Sequence, residues 1–177
     1  MLIGREFTRK SDQFLSSDKQ YEASLHLGIC TDSYDKEGQI TSRSPHIPTP
    51  HEIELVIASF QGEMLQVPPM FSAKKVQGKK LYDLARRGIT IERQSVLVRM
   101  QIALLEYSYP KLSLRVDCSK GTYIRSLGHD LGQALGCGAH LHALRRTRSG
   151  HFSIAECLPH AHLKTGTCDL TSYMRRS

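Results

Sequence analysis

The sequence predicts an α+β fold, a mixed and mostly antiparallel sheet with helices packed on it. Three observations carry that reading. Strand-like segments stand at 19–28, 96–107 and 112–118, and the first and third alternate apolar with polar residues. Segments with apolar residues at helical spacing stand among them, at 49–62 and 121–135. The two later strands are joined by a short connection through Tyr109-Pro110-Lys111, which makes them antiparallel neighbours. A chain of 177 residues, 40% of them hydrophobic, is long enough to bury a real core as one domain.

The first strand, Lys19–Gly28, sets Tyr21, Ala23, Leu25 and Leu27 against Glu22, Ser24 and His26, the period of a half-buried strand. Thr31–Gln39 is polar and contains Gly38, hence a loop. Thr49-Pro50-His51-Glu52 is a helix start: Thr caps, Pro suits the first helical position and Glu closes a capping box. Ile53, Val56, Ile57 and Phe60 follow at helical spacing, and Gly62 is the stop. Val67–Arg93 opens on Pro68-Pro69, runs extended, and becomes a helix from Gly78 to Arg87 that Gly88 ends. Leu112, Leu114, Val116 and Cys118 alternate along their strand. Gly121–Leu135 is a helix with Ile124, Leu127, Leu131 and Leu135 as its buried stripe and Arg125 off that stripe on the first turn. Ala139–Thr147 is short and extended or irregular, and the last ten residues of the chain are expected to fray.

Charge is unevenly spread. Residues 1–66 hold 6 basic and 10 acidic side chains, whereas 67–177 hold 18 basic and 7 acidic ones. The second part suits a polyanion: RNA, DNA or an anionic membrane, or else it is simply a soluble basic domain. No apolar run approaches the ~18 residues that span a bilayer, and no basic–apolar–small leader stands at Met1. Five Cys with no C-x-x-C suit a reducing cytosol rather than a disulfide framework. His140-x-His142 and His160-x-His162 have no third ligand at a recognisable spacing, so no metal site is expected. Neither GxGxxG, GxxxxGK[ST] nor GxSxG is present.

Three linked stretches remain. The first is Ser17-Asp18-Lys19-Gln20-Tyr21. The second joins Pro69-Met70-Phe71-Ser72-Ala73-Lys74-Lys75 to Gly78-Lys79-Lys80-Leu81-Tyr82 and Ala85-Arg86-Arg87-Gly88. The third is Cys118-Ser119-Lys120-Gly121-Thr122-Tyr123-Ile124-Arg125-Ser126-Leu127, followed by Gly136-Cys137-Gly138-Ala139-His140-Leu141 and Leu144-Arg145-Arg146-Thr147. In order and spacing they resemble the TruB family of tRNA pseudouridine synthases, from about Leu2 to Ile154. The combination of P-x-M-[FY]-S-A-x-K, K-G-T-Y-I-R-x-L and L-R-R-T is specific; any one of them alone is less so.

The resemblance implies a pseudouridine synthase-like α+β fold, read here as one catalytic domain over 1–177 with an inserted basic thumb at about 67–93 and no second domain. It implies isomerisation of the T-loop uridine at tRNA position 55, with no cofactor and no metal. Tyr21 would be the aromatic platform for the flipped base, Leu144 would pack against that base or its neighbour, and Arg125 would pair with the catalytic aspartate. Lys74, Lys75, Lys79, Lys80, Arg86, Arg87, Lys120, Arg145 and Arg146 are the expected RNA contacts. The expected partner is the tRNA T-arm, with neither DNA nor membrane, and the expected state is a cytoplasmic monomer. The family carries its aspartate in a G-[HT]-x-G-x-L-D-P loop ahead of the segment that here begins Met1-Leu2-Ile3-Gly4-Arg5, and no Asp-Pro pair occurs in these 177 residues. The expectation is therefore a chain that starts downstream of its nucleophile, stops before a PUA-type domain, and is inactive alone. The alternative is a catalytically dead RNA-binding protein or tRNA chaperone-like remnant.

Overall fold

In the computed structural model, residues 5–9, 11, 17–76 and 78–159 are described. The strands are β1 (Lys19–Leu27), β2 (Ile29–Thr31), β3 (Ile40–Arg43), β4 (Gly62–Gln66), β5 (Lys75–Val76), β6 (Lys79–Lys80), β7 (Val96–Ser108), β8 (Lys111–Cys118), β9 (Ala139–Ser149) and β10 (Phe152–Ser153). The helices are α1 (Arg5–Arg9), α2 (Pro50–Ser59), α3 (Leu81–Ala85) and α4 (Ile124–Ala134). Six strands form the main sheet in the order β10-β9-β1-β8-β7-β4, every neighbouring pair antiparallel. The α+β architecture expected from the alternation is the one observed. No helix is long and apolar enough to cross a membrane among the described residues.

The period-two pattern decides which face is covered. Ala23, Leu25 and Leu27 of β1, Leu112, Leu114 and Val116 of β8, and Val98, Met100 and Ile102 of β7 turn to one side and are buried. Helices α2 and α4 close over them with Ile53 and Ile57, and with Ile124, Leu127 and Leu131. Each fully buried Leu or Ile contributes about 1.5–3 kcal/mol relative to exposure. The Thr49 hydroxyl accepts from the Glu52 N–H at 3.3 Å, and the Glu52 carboxylate accepts from the Thr49 N–H at 2.7 Å, so the capping box forms as read. The other face of the sheet carries polar ladders, among them Gln20, Asp117 and Arg148, where Asp117 accepts from Gln20 at 3.0 Å and Arg148 at 2.8 Å. Burial works to raise the Asp117 carboxyl, but these hydrogen bonds, with the charges of Arg148 and Arg115, outweigh it and hold it below its ordinary value.

Three local readings change. Gly62, expected as a helix stop, reverses the chain at φ +84° directly into β4, an edge strand with Leu65 outward and exposed opposite Leu97. The helix expected from Gly78 shrinks to Leu81–Ala85, because Gly78 at φ +79° turns a hairpin between β5 and β6 and Lys80 is still extended. Polar Thr31–Gln39 is a loop only after Thr31, since β2 and β3 pair across it. Of the tail, Ile154–Glu156 forms a capped 3₁₀ turn; the last ten residues lie outside the described part.

Helix α4 reaches the sheet through glycine. A Cβ on Gly132 would stand 2.2 Å from the Ala139 nitrogen and 2.5 Å from the Gly138 carbonyl carbon, both backbone atoms of the strand entry. Interior glycine costs a helix about 1 kcal/mol relative to alanine, yet here alanine has no room. Gly132→Ala is expected to destabilise the fold by about 1–3 kcal/mol, read as a lowered midpoint in urea with an unchanged slope.

Candidate nucleic-acid site

The head of α4 is fixed before its side chains act. Gln66, buried at the end of β4, donates its amide to the Tyr123 carbonyl at 3.1 Å and accepts from the Tyr123 N–H at 2.7 Å. Ser126 donates to the Val67 carbonyl at 2.8 Å. The bond from the Tyr123 N–H satisfies a donor that a helix start leaves open, in place of a side-chain cap, which Tyr123 does not supply, and the other two pin that turn beside the end of β4.

Arg125 stands on that anchored turn. One terminal nitrogen pairs with Asp35 Oδ2 at 3.0 Å and reaches the Ser33 carbonyl at 3.4 Å; the other donates to the Phe71 carbonyl at 2.6 Å. The guanidinium thus gathers the 32–39 loop, the root of the 67–93 segment and α4. Asp35 is itself held: its Oδ1 accepts from the Ser33 hydroxyl at 2.6 Å and the Glu37 N–H at 3.2 Å. Beside them opens a cavity of about 360 Å³ lined by Asp32, Asp35, Glu37, Phe71, Arg86 and Arg125 among others. That size falls in the range of small-molecule pockets. Three carboxylates and two guanidiniums stand in its wall.

Tyr21 and Leu144 share a sheet face. In the β1–β9 register Tyr21 lies opposite Arg146 and Ala23 opposite Leu144, so Leu144 sits diagonal to Tyr21. Tyr21 is half-buried against the core, and Leu144 is 46% exposed, a large apolar side chain beside an aromatic one. Arg125 reaches this face indirectly: Leu141 of β9 donates to the Tyr34 carbonyl at 2.9 Å, and Lys36 donates to the Leu141 carbonyl at 3.0 Å, tying the Asp35 loop to the strand three residues before Leu144.

The basic residues divide. Arg146 lies on the Tyr21 face, but Arg145 lies on the opposite one, 3.7 Å from Glu22. Lys120, Lys80, Arg86 and Arg87 are exposed and Lys74 is half-buried. Lys80 and Arg86 each stand 5.4 Å from the centre of the Tyr82 ring, from which charge remains available to solvent. Lys75 and Lys79 lie on β5 and β6, and their side chains are outside the described part. Sequence reasoning missed Asp35, Gln66 and the carbonyl of Phe71. Asp35 stood in a loop read only as polar; its one signal was the density of Asp and Ser around it.

Of the His-x-His pairs, His160-x-His162 lies outside the described residues. His140 is buried, donates from Nδ1 to the Ile29 carbonyl at 3.0 Å and stacks on His26 at 5.2 Å. Among the described residues no three His, Cys, Asp or Glu side chains are placed to hold a metal.

The comparisons with known proteins agree with one another. Residues 1–124 match the model of the TruB family pseudouridylate synthase N-terminal domain, and 125–176 that of the tRNA pseudouridylate synthase B C-terminal domain. The 124/125 boundary falls within the first turn of α4, whose partners lie on both sides of it. The tRNA pseudouridine synthase B of Protochlamydia amoebophila is 59% identical over 167 residues, covering 94% of this chain and 64% of that protein. That of Chlamydia muridarum is 55% identical over 175 residues, covering 99% and 73%. The chain thus spans just under two thirds of the first relative's length. Among solved structures, an H/ACA RNP bound to a substrate RNA containing 2′-deoxyuridine superposes with a TM-score of 0.60 at 27% identity, over 95% of this chain and 42% of that one.

Two residues past Gly128, burial alone pushes the Asp130 carboxyl up to about 6. Its unfolded value is near 3.8, so the native state binds the proton more tightly between about pH 4 and pH 6. Stability from this group is present below that window and is lost as pH rises through it. Asp130→Asn is expected to raise Tm at pH 7 by about 3 °C, roughly 1 kcal/mol after allowance for solvent screening, and to remove the fall between pH 4 and pH 6 in melts recorded across that range.

Proposed function

Because the chain belongs to the TruB family of pseudouridylate synthases, we propose that it serves the isomerisation of the T-loop uridine at tRNA position 55 in the cytoplasm, gripping the T-arm and turning out the base. The reaction breaks the N1–C1′ bond, turns the base and rejoins it through C5, so it needs no redox partner and no group donor. It does need a pocket for an extruded base and an anionic group beside the sugar. The Tyr21 ring with Leu144 supplies an apolar platform, and Arg146 on the same face supplies a phosphate contact.

The observation that carries this reading is the grip of Arg125. A guanidinium has five N–H donors; the bonds to Asp35, Ser33 and Phe71 account for three among the described residues. Asp35 keeps the group aimed, and the remaining donors face the task the resemblance gives Arg125, which is to hold a second, nucleophilic carboxylate. No Asp-Pro pair stands within 1–177 to provide it. The 67–93 segment is the RNA-gripping thumb, with Lys74, Lys75, Lys79, Lys80, Arg86 and Arg87 on phosphate and Lys120 beside the head of α4. Its contribution is sequence-independent, since RNA is read largely by shape and splayed bases.

Purified 1–177 mixed with a T-arm stem-loop is expected to bind it and to form no pseudouridine; turnover at an ordinary enzymatic rate refutes the assignment of the nucleophile. Changing Lys74, Lys75, Lys79 and Lys80 together to alanine is expected to flatten the salt dependence, by roughly 0.7–0.9 in log K per log salt for every phosphate no longer neutralised. An unchanged slope removes the thumb from the interface. Arg146→Ala is expected to weaken binding about tenfold or less, whereas Arg145→Ala, on the far face, leaves it unaltered in the same titration.

A further inference from the structure

Tyr34 carries two unfavourable features at one contact. It is the sole non-glycine residue at positive φ, +64°, among the described residues, a region that side-chain-bearing residues seldom enter. Its ring lies on that of His129, centroids 3.9 Å apart and planes within 13°. His129 in turn has its Nδ1 buried without a hydrogen-bond partner. Burial also pulls its pKa below the ordinary 6.5, which keeps the ring neutral. A leucine at 129 would fill the space with no orphaned nitrogen, but without a flat ring to meet Tyr34. Strain and an unsatisfied polar group that persist together call for something they make possible.

The neighbouring residues show what that is. Tyr34 precedes Asp35, and His129 lies one turn after Arg125 on the same side of α4. The loop therefore meets the helix at two levels about 6 Å apart along its axis: the Arg125 bonds to Asp35 at 3.0 Å and to the Ser33 carbonyl at 3.4 Å, and the ring stack. Both of the loop's bonds at the first level converge on Arg125 Nη1, a single pivot about which the loop can turn on the helix. A second contact one turn away stops the rotation. The Tyr34 carbonyl meanwhile accepts from Leu141 of β9, so the left-handed backbone points the carbonyl to the strand while the ring goes to the helix.

We propose that Tyr34 and His129 are positioning residues that lock the Asp35 loop on α4 and thereby fix the direction of the Arg125 guanidinium. The proposal rests on the reading of Arg125 given above, and it adds the device that aims it. The flat aromatic face is the working part of the contact, rather than the Tyr hydroxyl or the His nitrogens.

The test separates ring, backbone and bulk. Tyr34→Phe and His129→Phe keep two stacked rings; Tyr34→Gly keeps the left-handed backbone and loses the ring; His129→Leu keeps apolar bulk and loses the plane. The readout is the guanidinium ¹⁵N–¹H signal of Arg125 in chain 1–177, assigned through its loss in Arg125→Lys, together with T-arm stem-loop affinity. Slow rotation of the guanidinium is expected in the wild type and both Phe variants. Fast, averaged signals and about tenfold weaker RNA binding are expected in Tyr34→Gly and His129→Leu. His129→Leu tests the idea even where Tyr34→Gly fails to fold, because the apolar replacement removes the orphaned nitrogen and leaves stability equal or higher. A wild-type guanidinium signal in folded His129→Leu overturns the proposal. Absence of T-arm binding by the wild type overturns the functional reading instead, and the guanidinium signal still decides whether the clamp exists.

Discussion

A single guanidinium holds together parts of the chain that are far apart in sequence. Arg125 bonds to residue 35, to residue 33 and to residue 71, and it can do so because Gln66 and Ser126 have already seated the head of α4 against the end of β4. Hydrogen bonds to a charged donor in a half-buried setting are stronger than neutral ones, and losing one partner leaves the others poorly satisfied. The loop, the thumb root and the helix are therefore mutually dependent. None of the three is positioned by the hydrophobic core alone, which α4 joins through Ile124, Leu127 and Leu131.

Around that point the charge is sorted by face rather than by stretch of sequence. The far side of the sheet pairs its cations internally, Arg145 with Glu22 and Arg148 with Asp117. The exposed Arg145–Glu22 pair adds little stability, but together the two pairs neutralise that surface. Arg146 on the Tyr21 face and the thumb cations have no such acidic ladder opposite them in the sheet register.

The core was legible in the sequence because burial imposes periodicity: the stripes of α4 and β8 contain the residues that the alternation picks out, and the Thr49–Glu52 box reads directly as a cap. The thumb was less legible, because a glycine that permits positive φ serves a helix end and a hairpin turn equally, and Gly78 turned out to be the latter. Arg125 stood out through its place in a motif; its partner Asp35 did not. A loop aspartate acquires meaning from what folds against it, and the Arg125 contact spans 90 residues of sequence. Nor could pattern tell Arg145 from its neighbour, since a bulge in the β1–β9 register lies close by and only the pairing assigns each to a side.

The distribution of sulfur in this fold has a practical side. Of the four cysteines among the described residues, Cys30, Cys118 and Cys137 are buried and Cys157 is exposed; Cys168 lies outside them. Burial also pushes the Cys118 and Cys137 thiols up, so little of the reactive thiolate is present in either at neutral pH. An alkylating reagent meets Cys157 at once and the three interior thiols only when the sheet opens. Alkylation of Cys118 over time, followed by peptide mass, becomes a native clock for the breathing of the sheet, one that needs neither substrate nor spectroscopic label.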